Sequence, residues 1–360
     1  MFIESLELHR FRNLEDFTLK PGPQVNLILG ENGQGKTNLL EAVWLCTGGK
    51  SFCGAKQEEL PRFGEASCAL DLAVQTSLRK KTLHMGLGKK RSWKVNGVEL
   101  RKKADFAGNF ICVAFSPNHL SLISGAPEKR RSYADAALCQ SNRHYLDQLS
   151  WYKSYLMQKN ALLKKEMKPS ERDFLLDSYD ARIAESAAVV FEARSRYVEE
   201  IARRAVPLYE QLSGGREKFT MAYRPGARNL EAGAFLEELR EARETDLRFC
   251  FSSKGPHKDD IQILLDGRSA KAFGSQGQKR SAVLALKLAE ASLLEDQTGE
   301  SPVILLDDVL SELDLKRQDY LLNHIDSRQI FVTACEEQKS SALTGGRIFY
   351  IDSGRITGAE

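Results

Sequence analysis

The stretch Gly30-Glu31-Asn32-Gly33-Gln34-Gly35-Lys36-Thr37 sets three glycines, a lysine and a hydroxyl in the spacing G-x-x-x-x-G-K-[ST]. Glycine admits the positive φ values that turn backbone N–H groups towards phosphate oxygens. In such a loop Lys36 supplies a point charge to the β- and γ-phosphates, and Thr37 supplies a hydroxyl to Mg²⁺. The expected cofactor-binding set is Gly30, Glu31, Asn32, Gly33, Gln34, Gly35, Lys36, Thr37 and Asn38, and the implied ligand is a nucleoside triphosphate such as ATP. Far downstream, the apolar run Val303-Ile304-Leu305-Leu306 ends in Asp307-Asp308. A carboxylate at the end of an apolar strand suits a metal, so Asp307 joins Thr37 as an expected Mg²⁺ ligand. Asp308 stands one residue on, where it can polarise an attacking water; it and Lys36 are the catalytic candidates. Two acids that merely cap a strand are the plain alternative, which the phosphate-loop pattern in the same chain disfavours.

These residues need elements to hold them. Val25–Leu29 (VNLIL) is a short apolar run of the kind that forms a buried parallel strand. Leu39, Leu40, Val43 and Trp44 then recur at helical spacing until Gly48-Gly49. Upstream, Phe2, Ile3, Leu6 and Leu8 predict a strand leading into His9-Arg10-Phe11-Arg12, and Pro21-Gly22-Pro23 breaks the chain before the loop strand. Arg10 and Arg12 are placed either to meet a nucleotide or to solvate a strand edge. Residues 65–113 stay β-like, with Asn96-Gly97 as a tight-turn signal. Between Arg79 and Lys103 ten Lys or Arg stand against the single acid Glu99. Lys89, Lys90 and Arg91 are the centre of that run and the expected phosphate-backbone contacts to DNA.

From about 127 to 245 the period becomes helical: Leu176, Tyr179, Ile183, Ala187 and Val190 step by three or four. Pro169, Pro207 and Pro225 are expected to divide this region into several helices, too short and too broken for a long coiled-coil arm. The basic residues at 159, 164, 165 and 168 read mostly as solvated surface. Past 247 the chain is expected to return to strands, LRFCFS and then DIQILLD. The loop Gly274-Ser275-Gln276-Gly277-Gln278 and an Ala/Leu-rich helix follow. The expected fold is therefore α/β: a P-loop mixed sheet and a β-rich lobe in residues 1–120, an inserted all-helical domain in 121–246, and the second half of the head in 247–360.

Composition excludes other classes. Lys plus Arg exceeds Asp plus Glu by only three, 52 against 49, so any nucleic-acid surface must be local. Seven scattered cysteines without a C-x-x-C pair argue for reduced thiols and a cytoplasmic setting. The N-terminus lacks a signal-peptide core, and no run approaches the roughly 18 apolar residues that a membrane span needs.

The loop at Ser275–Gln278 discriminates most. At a helix N-terminus it offers a serine hydroxyl, a glycine N–H and a helix dipole suited to a γ-phosphate. If it and the phosphate loop sit at outer edges of one sheet, Ser275, Gly277 and Gln278 reach ATP most simply from a second copy, in an ATP-dependent homodimer. The phosphate loop, the S-x-G-Q loop, the paired acids and Ser311-Glu312-Leu313-Asp314 resemble the ABC-type ATPase heads of the SMC-like class. Within it, HRFRN at 9–13, FSPNHLSLISGAPEKRR at 115–131, GPHKDD at 255–260 and AFGSQGQKR at 272–280 resemble the RecF family across essentially the whole chain. The resemblance implies ATP and Mg²⁺ at Gly30–Thr37, a signature loop at 275–278 acting on the partner's ATP, and a D-loop at 311–314 bringing Asp314 to the site. It also implies binding to duplex DNA and single-strand/double-strand junctions, with RecR and RecO as partners in loading the recombinase RecA. Three departures point to slow hydrolysis. Asp308 replaces the usual Glu, Thr333 stands where many heads carry a switch His, and only Asn118 is offered for the Q-loop glutamine. A small-molecule phosphotransferase would leave the SQGQ loop without a role. An SMC structural subunit needs hundreds of heptad residues, and a nuclease-linked ATPase needs a further acidic metal cluster.

Overall fold

The computed structural model of the protein describes residues 1–89, 91–325, 328–335 and 346–359. Lys90, at the centre of the basic run, lies outside the described residues.

The sheet that matters for the site has six strands in the order Arg355–Ala359, Arg347–Asp352, Val25–Leu29, Ile330–Ala334, Val303–Asp307 and Cys112–Phe115. The last five run parallel, and only Arg355–Ala359 is antiparallel to its neighbour. Every residue of Cys112–Phe115, Val303–Asp307 and Ile330–Ala334 is buried. Parallel strands covered on both faces must be apolar throughout, which is why these segments read as unbroken apolar runs. Ligand sites of such sheets form outside the carboxyl ends of the strands. Gly30, Asp308, Cys335 and Ser116 each follow one of those ends.

A second, antiparallel sheet runs in the order Phe17–Leu19, Phe2–His9, Ser67–Gln75, Lys80–Gly88, Ser92–Val95, Val98–Glu99. Burial alternates strictly along Ser67–Gln75, so one face is core and the other is open to solvent. The core face packs with the helix Lys36–Leu45 into one apolar cluster that includes Ile3, Leu6, Leu39, Val43, Leu70 and Leu72.

Helices Pro127–Ser141, Arg143–Leu162 and Pro169–Ser213 build the helical region. Pro207 does not divide it. It lies inside a single 45-residue helix, because Ala205 and Tyr209 on either side are fully buried and packing outweighs the one backbone bond that proline removes. The region is also not wholly helical. Phe219–Arg224 is a strand paired antiparallel with Asp260–Leu265, which itself pairs with Arg268–Ser269. The expected strand LRFCFS is instead the end of a short helix, Arg243–Phe249, closed by Cys250 at φ 58°. Lys159, expected at the surface, is fully buried: its Nζ lies 2.8 Å from Asp180 and 3.0 Å from Asp246. The long helix packs against the helix Gln276–Thr298 in a cluster that joins Val190, Val198, Ile201 and Ala205 to Ala282, Ala285 and Ala289.

Candidate nucleotide site

The phosphate loop bends where glycine alone fits. Gly35 has φ 116°, and a Cβ there would sit 2.6 Å from Leu14 Cδ2; at Gly30 it would sit 2.3 Å from the Ile351 carbonyl oxygen. Gly35 is also the N-cap of Lys36–Leu45 and places no side chain over the first turn, so the helix amides stay open to an anion. Neighbouring loops hold this shape. Asn13 Nδ2 donates to the Gly33 carbonyl at 3.2 Å, Asn38 Nδ2 donates to Asn13 Oδ1 at 2.7 Å, and the Ser353 and Gly354 amides donate to the side chain and carbonyl of Gln34 at 2.6 and 3.0 Å. Gln34 and Asn38 thus clamp the loop with their side chains. Asn13 stood in the HRFRN motif without a role read for it, and the Ser353-Gly354 turn went unseen, since nothing in its spacing marks it.

Lys36 is buried, with Nζ donating to the Gly30 and Glu31 carbonyls at 2.5 and 2.9 Å. This fixes the ammonium over the loop with capacity for a further acceptor. Thr37 Oγ1 donates to Asp307 Oδ1 at 2.8 Å, across 270 residues of sequence. Burial first, and the neighbouring Asp308 charge, push the Asp307 carboxyl above its ordinary range, while hydrogen bonds from Thr37 and Thr333 pull the other way. A buried carboxylate paired with a hydroxyl is a hard-oxygen donor set that a divalent cation relieves. Among the described residues no group of three His, Cys, Asp or Glu forms an all-protein cage. The pair therefore fits Mg²⁺ held by Thr37, Asp307 and substrate phosphates.

Asp308 is exposed and has φ 52°, a left-handed conformation that an aspartate adopts at some cost. Its amide donates to Thr333 Oγ1 at 2.8 Å, and Ser311 Oγ donates to its carbonyl and to Oδ1 at 2.8 and 2.9 Å. Thr333, where many heads carry a switch His, is held by the sheet. Parallel register pairs it with Asp307, so it lies inside the sheet, where its hydroxyl also donates to Asp307 Oδ1 at 3.1 Å. It grips both acids. The residue that reaches the loop is Cys335, whose Sγ lies 3.5 Å from Asn32 Oδ1 and 4.0 Å from Lys36 Nζ. Asn118 stands exposed in the turn after Phe115, on the strand beside the paired acids.

Arg12 lines a cleft beside the loop with Asn13, Asn38, Arg62 and a fully exposed Phe63. Its charge is already matched: the guanidinium sits 2.9 Å from buried Glu41 and donates to the Glu59 carbonyl at 3.2 Å. Arg10 pairs with Glu65 at 3.2 Å.

The Ser275 loop begins the 23-residue helix Gln276–Thr298. Ser275 Oγ accepts from the Gln278 amide at 3.2 Å, and Gln278 Oε1 accepts from the Ser275 amide at 2.6 Å, a reciprocal cap. Gln278 Nε2 donates to Glu217 at 2.9 Å, so both ends of that amide are engaged within the chain. Ser275 and Gln276 are exposed. No hydrogen bond or ion pair among the described residues joins this loop to Gly30–Thr37. The condition that both loops lie at outer edges is met only in part: the phosphate-loop strand is central, whereas the helix after Ser275 packs by the edge strand Cys112–Phe115. Three strand spacings, roughly 14 Å, separate those strands. Asp314 turns its carboxylate to Arg317.

On the antiparallel lobe, Lys89 and Arg91 are exposed, whereas Lys80 is matched by Glu4. Lys103 is held below its ordinary range by burial, and further by the cations Lys50 and Arg91 beside it. Cations crowded together without an acid suit a polyanion.

A central parallel sheet carrying a phosphate loop and paired acids, with a separate capped Ser-Gln-Gly-Gln helix against a helical lobe, defines an ABC-type ATPase head. Residues 2–350 match the family described as the RecF/RecN/SMC N terminal domain. The chain is 36% identical over 362 residues to the DNA replication and repair protein RecF of Lachnospira eligens, and 35% identical over 360 residues to that of Agathobacter rectalis, with 99% of each chain covered in both cases. It belongs to the RecF family. A solved structure of the recombination mediator protein RecF with ATP, from the RecFOR pathway, superposes with a TM-score of 0.91 at 33% identity over 100% of this chain and 97% of that one. An SMC head bound to the C-winged helix domain of ScpA shares the fold at a TM-score of 0.55 and 15% identity.

Proposed function

We propose that this protein is an ATP-dependent DNA clamp of replication and recombinational repair. Two copies close over ATP, grip duplex DNA near single-strand gaps, and open after slow hydrolysis. The observation that carries the reading is the division of the nucleotide site. Lys36, Thr37 and Asp307 converge within one chain, while the Ser275 loop is formed, exposed and without contact to them. A second copy supplies the missing side: Ser275 Oγ and the amides of Gln276 and Gly277 reach the γ-phosphate across the dimer.

Within each site Lys36 and the loop amides orient the triphosphate, and Thr37 and Asp307 would hold a Mg²⁺ that would supply neutralisation of phosphate charge. Asp308, steadied by Ser311, accepts a proton from the attacking water. Its carboxylate is one methylene shorter than a glutamate, which supports slow turnover and a clamp that persists. Lys89 and Arg91 contact the phosphate backbone, and crowding at Lys103 supports an anion on that face. By likeness to the RecF proteins of the RecFOR pathway, the partners are RecR and RecO and the outcome is loading of RecA.

Sedimentation with and without ATP and Mg²⁺, on gapped and on fully duplex DNA, tests this. A doubled mass only with ATP, and tighter retention on gapped DNA, are expected. A monomer under all conditions, or equal binding without ATP, overturns the clamp.

A further inference from the structure

The segment from Asp308 to Arg317 touches both sides of the divided site. At one end Ser311 Oγ donates to Asp308 Oδ1, and Asp308 is tied through Thr333 and Asp307 to Thr37. At the other end Arg317 opens the helix Leu315–Ile325 and spends its guanidinium three ways. It pairs with the Asp314 carboxylate, its Nε donates to Ser281 Oγ at 2.9 Å, and its Nη2 reaches the Gly277 carbonyl at 3.4 Å. The Arg317 amide also donates to Asp314 Oδ1 at 3.1 Å, which holds the turn and the side chain together. A second tie runs in parallel, with Arg280 Nη2 3.6 Å from Glu312. Hydrogen bonds, ion pairs and one short turn thus lead from the Thr37 hydroxyl to the signature loop of the same chain.

We infer that Arg317 is a positioning residue that couples the two nucleotide sites of the dimer. The inference rests on the two-copy reading above, in which the signature loop serves the partner's triphosphate and the Asp308 end serves the chain's own. Settling of Asp308 and Ser311 on one triphosphate constrains Glu312–Asp314. Arg317 and Arg280 carry that constraint to Gly277, the signature glycine offered to the other site. Arginine suits this task because its planar fork can hold a carboxylate, a hydroxyl and a carbonyl at once, whereas a lysine ammonium concentrates its charge at one point. An ordinary surface pair three residues apart would engage Asp314 alone.

The ATP dependence of hydrolysis by DNA-bound dimers tests the coupling. Wild-type protein is expected to be sigmoidal, with a Hill coefficient rising towards about 2, the number of sites. Arg317→Lys keeps the Asp314 pair and the fold but lacks the fork, so its coefficient falls to about 1 while single subunits bind a fluorescent ATP analogue within about twofold of wild type. Arg317→Ala gives the same loss, and thermal melting of the lysine variant guards against reading misfolding as uncoupling. Arg317→Lys dimers as sigmoidal as wild type overturn the inference, and so does a wild-type dimer with hyperbolic kinetics. Wild-type protein that never dimerises overturns the two-copy reading instead, and is told apart by its sedimentation.

Discussion

Lys36 and Ser275 both stand at the start of a helix, yet the two starts are finished differently. The helix of Lys36 is preceded by Gly35, which caps nothing and leaves the first-turn amides open, with the ammonium folded over them. The helix of Ser275 carries a reciprocal cap with Gln278, and Gln278 is fastened in turn to Glu217. An uncapped helix start with buried charge beside it is incomplete until an anion arrives. A capped start is stable alone, and its serine and remaining amides form a ready surface. The difference separates a helix start left open to an anion from one already finished by its own side chains.

The comparison can be broken most forcefully at Lys36. Lys36→Met removes the buried charge and its charge-assisted bonds, on the order of 3 kcal/mol, so ATP affinity falls by about a hundredfold and ATP-driven dimerisation is lost. Titration with a fluorescent ATP analogue and sedimentation measure both; near-normal binding would mean that the loop amides suffice. Ser275→Arg is expected to act oppositely, leaving subunit affinity for ATP within about twofold while dimer association weakens at least tenfold, about 1.4 kcal/mol. Loss of nucleotide binding in that variant would place the loop at its own chain's ATP. Thr333→Val keeps the side-chain shape and deletes the hydroxyl shared by Asp307 and Asp308. At about 1–2 kcal/mol for a buried hydrogen bond, turnover drops roughly 5- to 30-fold with dimerisation preserved. The mildest change is Lys89→Glu with Arg91→Glu: the slope of log affinity for duplex DNA against log salt should become shallower by about 2, at roughly 0.9 for each phosphate no longer neutralised. An unaltered slope returns those residues to a solvated face.

Much of the phosphate-loop side was legible because its chemistry is local in sequence. Eight adjacent residues, an apolar strand before them and a helical period after them define the loop, and Asp307-Asp308 ends an apolar run two strands along the same sheet, close enough for Asp307 to accept from Thr37. What escaped was whatever depends on distant loops. Asn13, in a motif that named no role for it, and Ser353-Gly354, with no motif at all, clamp the loop, and Cys335 reaches Lys36 only because its strand lies beside the loop strand. The grip of Thr333 on both acids was hidden too, because it depends on the parallel register that sets Thr333 opposite Asp307. Pro207 misled for a related reason: a proline's local cost is legible, whereas the packing of Ala205 and Tyr209 that overrides it is not.

The 45-residue helix Pro169–Ser213 has one further consequence. Near its C-terminal end Tyr209 donates to Glu217, the same carboxylate that holds Gln278. At 1.5 Å per residue the helix spans roughly 67 Å, so a tilt of about 5° at that anchored end displaces the opposite tip by about 6 Å. In mechanical language a helix of that length, pinned at one end to the same carboxylate as Gln278, has the geometry of a lever arm.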